Sequence, residues 1–191
     1  MSLADPIKKN NRIHQRVLDL STYALDDERV VVEGSLRDER FRPIYELSGR
    51  KREAGVIHHM VIRLVVGGEP LRILDAEAEM PQVPMPLCVT TRESVKKIIG
   101  VKIRSGFGER VHKLIGGVEG CAHLTHLLTV MAQEALHGYW THKLRNPAAP
   151  PGSVEEIEGL SYLLNSCSLW RKDGPIMQEI KNFIESRKAS S

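Results

Sequence analysis

The segment from Val56 to Val66 restricts the fold more than any other part of the chain, because its alternation is unbroken. His58, Met60, Ile62, Leu64 and Val66 share one side, and His59, Val61, Arg63 and Val65 the other, which is the period of a strand. Gly67-Gly68-Glu69-Pro70 then reads as a turn. Leu71 to Met80 brings the chain back with Leu74, Ala76, Ala78 and Met80 on one face and Asp75, Glu77 and Glu79 on the other. Upstream, the β-branched run Arg29 to Leu36 ends in the charged Arg37-Asp38-Glu39-Arg40. From His14 to Met80 these runs predict an antiparallel meander of about four strands with one wet face, and the basic Arg50-Lys51-Arg52 is read as a solvated loop between strands.

Beyond Met80 the pattern changes. Pro81, Pro84 and Pro86 forbid a continuing ladder and make an extended connector that delivers Cys88. Thr90 and Glu93 stand in capping-box spacing, so a helix is expected from near Thr91 to about Gly100. A short helix from Glu109 to Ile115 is closed by Gly116-Gly117, and the longest helix runs from about Cys121 to His142. The fold class is α+β, an antiparallel sheet followed by helices on one face. Asn146 to Ser153 is too rich in proline for regular structure. It divides the chain into a core domain over 1–143, a linker over 144–156 and a tail over 157–191. That tail, with Leu160, Trp170 and an amphipathic helix from about Ile176 to Arg187, is too small for a core of its own and is expected to pack back on the main body.

A chain of 191 residues can bury one sizeable core, and its 5% aromatic content makes that core aliphatic. Its 27 basic against 24 acidic residues leave a formal charge of +3, far from the one-sided charge of nucleic-acid binders. No run approaches the ~20 apolar residues of a membrane span, and the opening residues through Lys8 and Lys9 show no secretory pattern. Three cysteines do not make a disulfide framework, so the thiols are expected to be reduced, in a cytoplasmic protein. The phosphate-binding Gly-x-x-x-x-Gly-Lys, Cys-x-x-Cys, His-Glu-x-x-His and Gly-x-Ser-x-Gly signatures are absent. Gly106-Phe107-Gly108 is read as a loop with weak promise as a ligand-facing turn.

Cys88 and Cys121 both fall where the chain turns onto a helix, and unpaired amides at such an end favour the thiolate, the better nucleophile and the better metal ligand. The bland alternative is that each is a small buried hydrophobe. Cys121 and His123 would point ~160° apart on a regular helix. Leu124, Leu128, Met131, Ala135 and Tyr139 then form the buried stripe, while His123, His126, Gln133, Glu134 and His137 form a solvated one. A distorted first turn, which Gly120 permits, would instead let His123 join Cys121. His58, on the apolar side of its strand, is either a hydrogen-bonded edge of the core or a group facing a pocket. Cys167, between Ser166 and Ser168, is read chiefly as packing.

Four blocks carry a resemblance when taken in order: His58 to Leu64, Pro86-Leu87-Cys88, Gly116 to Leu124, and Asn165 to Trp170. Over about residues 12–177 the chain resembles a bacterial family known only as a domain of unknown function, whose hallmark is a Gly-Cys-Thr-His-Leu turn. The resemblance puts His58, Cys88, Cys121, His123 and Cys167 in the marked blocks and implies a shared site, without an activity. This chain departs from the pattern at His59, where the family tends to have aspartate, and at Ala122, where it tends to have threonine. At the level of element order alone, it is also similar to scaffold proteins for iron–sulfur cluster assembly.

Three functions follow as alternatives. In the first, Cys88 and Cys121 with one of His58, His123 or Cys167 bind a metal, zinc or an iron–sulfur cluster. In the second, Cys121 is the nucleophile of an enzyme acting on a small molecule, with His58 or His123 as base. In the third, the chain is a non-catalytic interaction module whose wet sheet face and mobile tail form the partner surface. The sequence leaves the oligomeric state open.

Overall fold

The computed structural model describes Ala4 and residues 11–189, so the stretch around Pro6, Lys8 and Lys9 lies outside the described residues. Two compact units divide between Tyr139 and Trp140. The first is built on a four-stranded antiparallel sheet of β1 (His14–Ala24), β2 (Arg29–Arg40), β5 (Gly55–Gly67) and β6 (Arg72–Gln82), in the order β1-β2-β5-β6. A small hairpin, β3 (Ile44–Tyr45) and β4 (Lys51–Arg52), interrupts the meander between β2 and β5 and takes in part of the expected basic loop. The α+β expectation therefore holds.

Alternation decides the core. Val30, Val32 and Leu36 of β2 and Met60, Ile62, Leu64 and Val66 of β5 are buried, while their odd-numbered neighbours face outward, each such buried side chain contributing roughly 1.5–3 kcal/mol by leaving water. On β6 the expected inner set needs one correction. The register shifts opposite Val65 and Val66, so that Ile73 pairs Val66 and Asp75 pairs Val65. Leu74 is the extra residue of this bulge and is 39% exposed, and Ile73 takes the inner position in its place.

After β6 the proline connector leads into a 3₁₀ helix over Pro86–Ile98, not the capped α-helix expected from Thr91. Thr90 and Thr91 donate their hydroxyls backward, to the carbonyls of Leu87 (2.8 Å) and Cys88 (2.7 Å). Glu93 pairs with Arg92 and Lys96 instead of reaching a helix end. Such local hydroxyl bonds compete with capping, and Pro86 starts the tighter helix several residues early. Two helices follow, α1 (Phe107–Ile115) and α2 (Ala122–Lys143).

Helix α2 lies against the inner face of the sheet, buried through Leu124, Leu128, Met131, Ala135 and Tyr139 as its spacing predicts, and also through Thr125 and Leu127. Its closeness to the strands explains two glycines. A Cβ on Gly34 would stand 2.7 Å from Met131 Sδ, and one on Gly138 would stand 2.2 Å from Thr22 Oγ1. No residue larger than glycine fits at either place without displacement. Thr22 also donates to Glu134 Oε1 at 2.8 Å, which draws Glu134 off the solvated stripe.

The second unit contains α3 (Leu160–Leu163) and α4 (Pro175–Ala189), and Leu160, Met177 and Ile184 are its buried apolar residues. Pro147 to Pro150 is exposed and has no regular structure. Among the described residues no helix is long and apolar enough to cross a membrane.

Candidate functional site

Sheet register assembles the first part of the site. Arg16, Asp38 and His58 are direct partners across β1, β2 and β5, so the three side chains form one row on the face that carries Leu36 and Met60. Asp38 is only 2% exposed. A carboxylate taken out of water this completely needs charged or hydrogen-bonding partners. Arg16 supplies them as a two-pronged pair, Nε to Oδ1 and Nη2 to Oδ2, both 2.7 Å. His58 Nδ1 lies 3.1 Å from Oδ2 as well. These contacts, with Arg16 the foremost and against the opposing effect of burial, hold the Asp38 carboxyl below the ordinary carboxylate range.

The second part arrives from the start of α2. Gly120 brings the chain in extended and closely packed, since a Cβ there would meet the Ile115 carbonyl at 2.5 Å and Ser94 Oγ at 2.9 Å. Helix α2 begins only at Ala122, so Cys121 is not helical and the opposed orientation expected for a regular helix does not arise. Cys121 occupies the N-cap, its carbonyl accepting from the Thr125 amide (2.9 Å) and hydroxyl (2.9 Å). His123 turns toward the sheet, leaving the solvated stripe on which His126 and His137 remain exposed. Its Nδ1 lies 3.9 Å from Cys121 Sγ and its Nε2 3.6 Å from Asp38 Oδ2. The rings of His58 and His123 lie in contact, centroids 3.8 Å apart and planes tilted by 31°.

Burial pushes the half-buried Cys121 thiol up. Hydrogen bonding from the His123 ring and from the backbone N–H groups of Leu124 and His123 outweighs it, and the thiol lies below its ordinary value. The sulfur thus takes the place that a serine or aspartate oxygen takes in an ordinary N-cap.

Among the described residues, Asp38, His58 and His123 form the set of His, Cys, Asp and Glu whose ligand atoms all lie within 4.8 Å of one another. None of the cysteines belongs to it. Cys121 adjoins it through His123, and Cys88 sits inside the 3₁₀ helix with its amide bonded to Met85. Cys167 is exposed in the second unit, and all three thiols are free of disulfides. Sequence reasoning singles out His58, Cys121 and His123 but misses Asp38 and Arg16. The signal for Asp38 is parity: it continues Val30, Val32, Gly34 and Leu36 two residues at a time, within what reads as a charged strand end.

Fold and site together describe an α+β protein with an acid, two histidines and an N-cap thiol gathered at one end of a sheet. The chain belongs to the family described as Protein of unknown function (DUF2889), whose model matches residues 14–137 and so includes Arg16, Asp38, His58, Cys121 and His123. No curated protein matches the chain, and no solved structure does.

Proposed function

We propose that the protein is a thiol-dependent enzyme in which Cys121 attacks a small electrophilic substrate, His123 takes the thiol proton and Asp38 positions His123. The observation that carries this reading is the continuous line from sulfur to ring to buried carboxylate, 3.9 Å on one side of His123 and 3.6 Å on the other. Separations of this length before substrate binds suit a nucleophile, base and orienting group. The proton leaves sulfur for Nδ1 of His123. The sulfur electron pair then forms the bond to the electrophilic carbon, whose π pair moves onto its heteroatom. Asp38, held ionised by Arg16, favours the imidazolium so formed.

The test is alkylation of Cys121 by iodoacetamide as a function of pH, in a Cys88→Ser, Cys167→Ser background. The expected profile has its midpoint below the ordinary thiol value of about 8.5. His123→Ala should raise that midpoint and slow alkylation at neutral pH by about tenfold. An ordinary midpoint that His123→Ala does not move would refute the reading.

A second reading rests on the compact ligand set of Asp38, His58 and His123. Two imidazoles and one carboxylate suit zinc or non-haem iron better than an iron–sulfur cluster, which asks for thiolates. Against it, Arg16 already holds both Asp38 oxygens, and a metal cation would have to displace part of that pair. One-to-one zinc binding that survives Cys121→Ser and is lost in His58→Ala would favour the metal over the nucleophile.

A further inference from the structure

The segment that leads into α1 is not used by the thiol site. Residues 100–103 attach to the edge of the sheet, the Ile73 amide donating to Val101 O (3.0 Å), Gly100 to Ile73 O (2.8 Å) and Ile103 to Leu71 O (2.9 Å). Ile103 and Phe107 are buried, so the backbone between them is held from both ends. Between this segment, the end of the 3₁₀ helix and α1 lies an open cavity of about 680 Å³. Lys97, Lys102, Arg104 and Arg110 all line it, and no carboxylate does. Lys97 is shared with Glu119, its Nζ 3.2 Å from Oε2, whereas Lys102, Arg104 and Arg110 have no ion-pair partner among the described residues. In a chain whose formal charge is only +3, four cations around one concavity are a local concentration that composition does not require.

The geometry points to this recess as a binding site for a phosphate-bearing small molecule, recognised by Arg104 and Arg110 with Lys102 and Lys97 around them. Two guanidinium groups match the geometry of phosphate oxygens, and the lysines add charge without demanding orientation. The turn adds further donors. Gly106 is left-handed, with φ 82°, and it opens α1 so that the amides of Gly108 and Glu109 have no partner among the described residues. They complement the side chains and do not define the site. A concavity suits a small ligand better than a nucleic acid, which would call for an extended basic stripe.

Titration calorimetry of the full chain with inorganic pyrophosphate at low ionic strength tests the site. Saturable one-to-one binding is expected, weakened about tenfold or more by Arg104→Gln with Arg110→Gln. Partial binding should return in the corresponding lysine double variant, and circular dichroism of both double variants should match the parent. Lys113→Gln, which removes one charge from α1 outside the recess, and Cys121→Ser should each leave binding unchanged. Three results would overturn the site: no saturation, equal weakening by Lys113→Gln, or tighter binding of a single-stranded RNA oligonucleotide than of pyrophosphate.

Discussion

The sheet carries two rows of ionisable side chains, one on each face. On the inner face Arg16, Asp38 and His58 stand opposite one another across β1, β2 and β5. On the outer face Glu33, Arg63 and Glu77 do the same across β2, β5 and β6. Arg63 Nε meets Glu33 at 2.6 Å, and its Nη1 meets Glu77 at 3.1 Å and Glu79 as well. Hydrogen bonds donated to Glu79, Glu33 and Glu77 raise the Arg63 guanidinium above its already high value. Both rows pair arginine with carboxylate across strands, the inner one around a central aspartate and the outer one around a central arginine. The side chain of Asp38 is 3% exposed, however, whereas that of Glu77 is 64% exposed. Water screens the outer carboxylates and replaces any partner they lose, while the inner carboxylate of Asp38 depends on protein groups. That dependence fits the inner row for chemistry, because a buried carboxylate can direct a ring in a way a solvated one cannot.

Removing the centre of each row is the strongest way to break this comparison. Asp38→Ala leaves the Arg16 guanidinium without its acceptor and His58 and His123 without an orienting carboxylate. It should cost about 3 kcal/mol in urea unfolding, discounted somewhat because Arg16 can reach water. A loss no larger than that of an outer-row variant would mean that burial does not separate the two faces.

A smaller effect concerns acid. The Asp38 carboxyl is depressed in the folded state, so its stabilising contribution is present above the unfolded value of about 3.9 and is lost as pH falls through the folded one. The difference in stability between parent and Asp38→Asn should therefore shrink below about pH 4. A difference that stays constant across that window would show that Asp38 does not titrate as its partners dictate.

The smallest effect belongs to the outer row. Arg63→Ala should change stability by no more than about 1 kcal/mol, and raising the salt to 1 M should remove most of that change. A large, salt-independent loss would show that the outer row is not the solvated network its exposure implies.

Part of this architecture is legible in the residues alone. The unbroken alternation of β5, the prolines after Met80 and the apolar stripe of α2 require an antiparallel sheet followed by a packed helix. The turn at Gly120 marks Cys121 and leaves open whether His123 joins it. Asp38 escapes such a reading because Arg37-Asp38-Glu39-Arg40 looks like a strand running into solvent, although its parity puts it with the core. Leu74 is assigned to the wrong face because a bulge changes phase without changing residue type. The thiols Cys88 and Cys121 both stand at turns, and nothing in their local patterns distinguishes a 3₁₀ segment from an α-helix N-cap.

Period and composition by themselves determined which side chains share a strand face or a helix stripe, since those relations follow from backbone geometry over a few residues. Only the tertiary structure decided which face would be covered, and so which of the two rows would have its carboxylate taken out of water. Strand register brought Arg16, Asp38 and His58 into one line, and the close approach of α2 to Gly34 and Thr22 set where His123 meets them. Such contacts join positions far apart in the chain, and their energies come from packing and desolvation that no local pattern encodes.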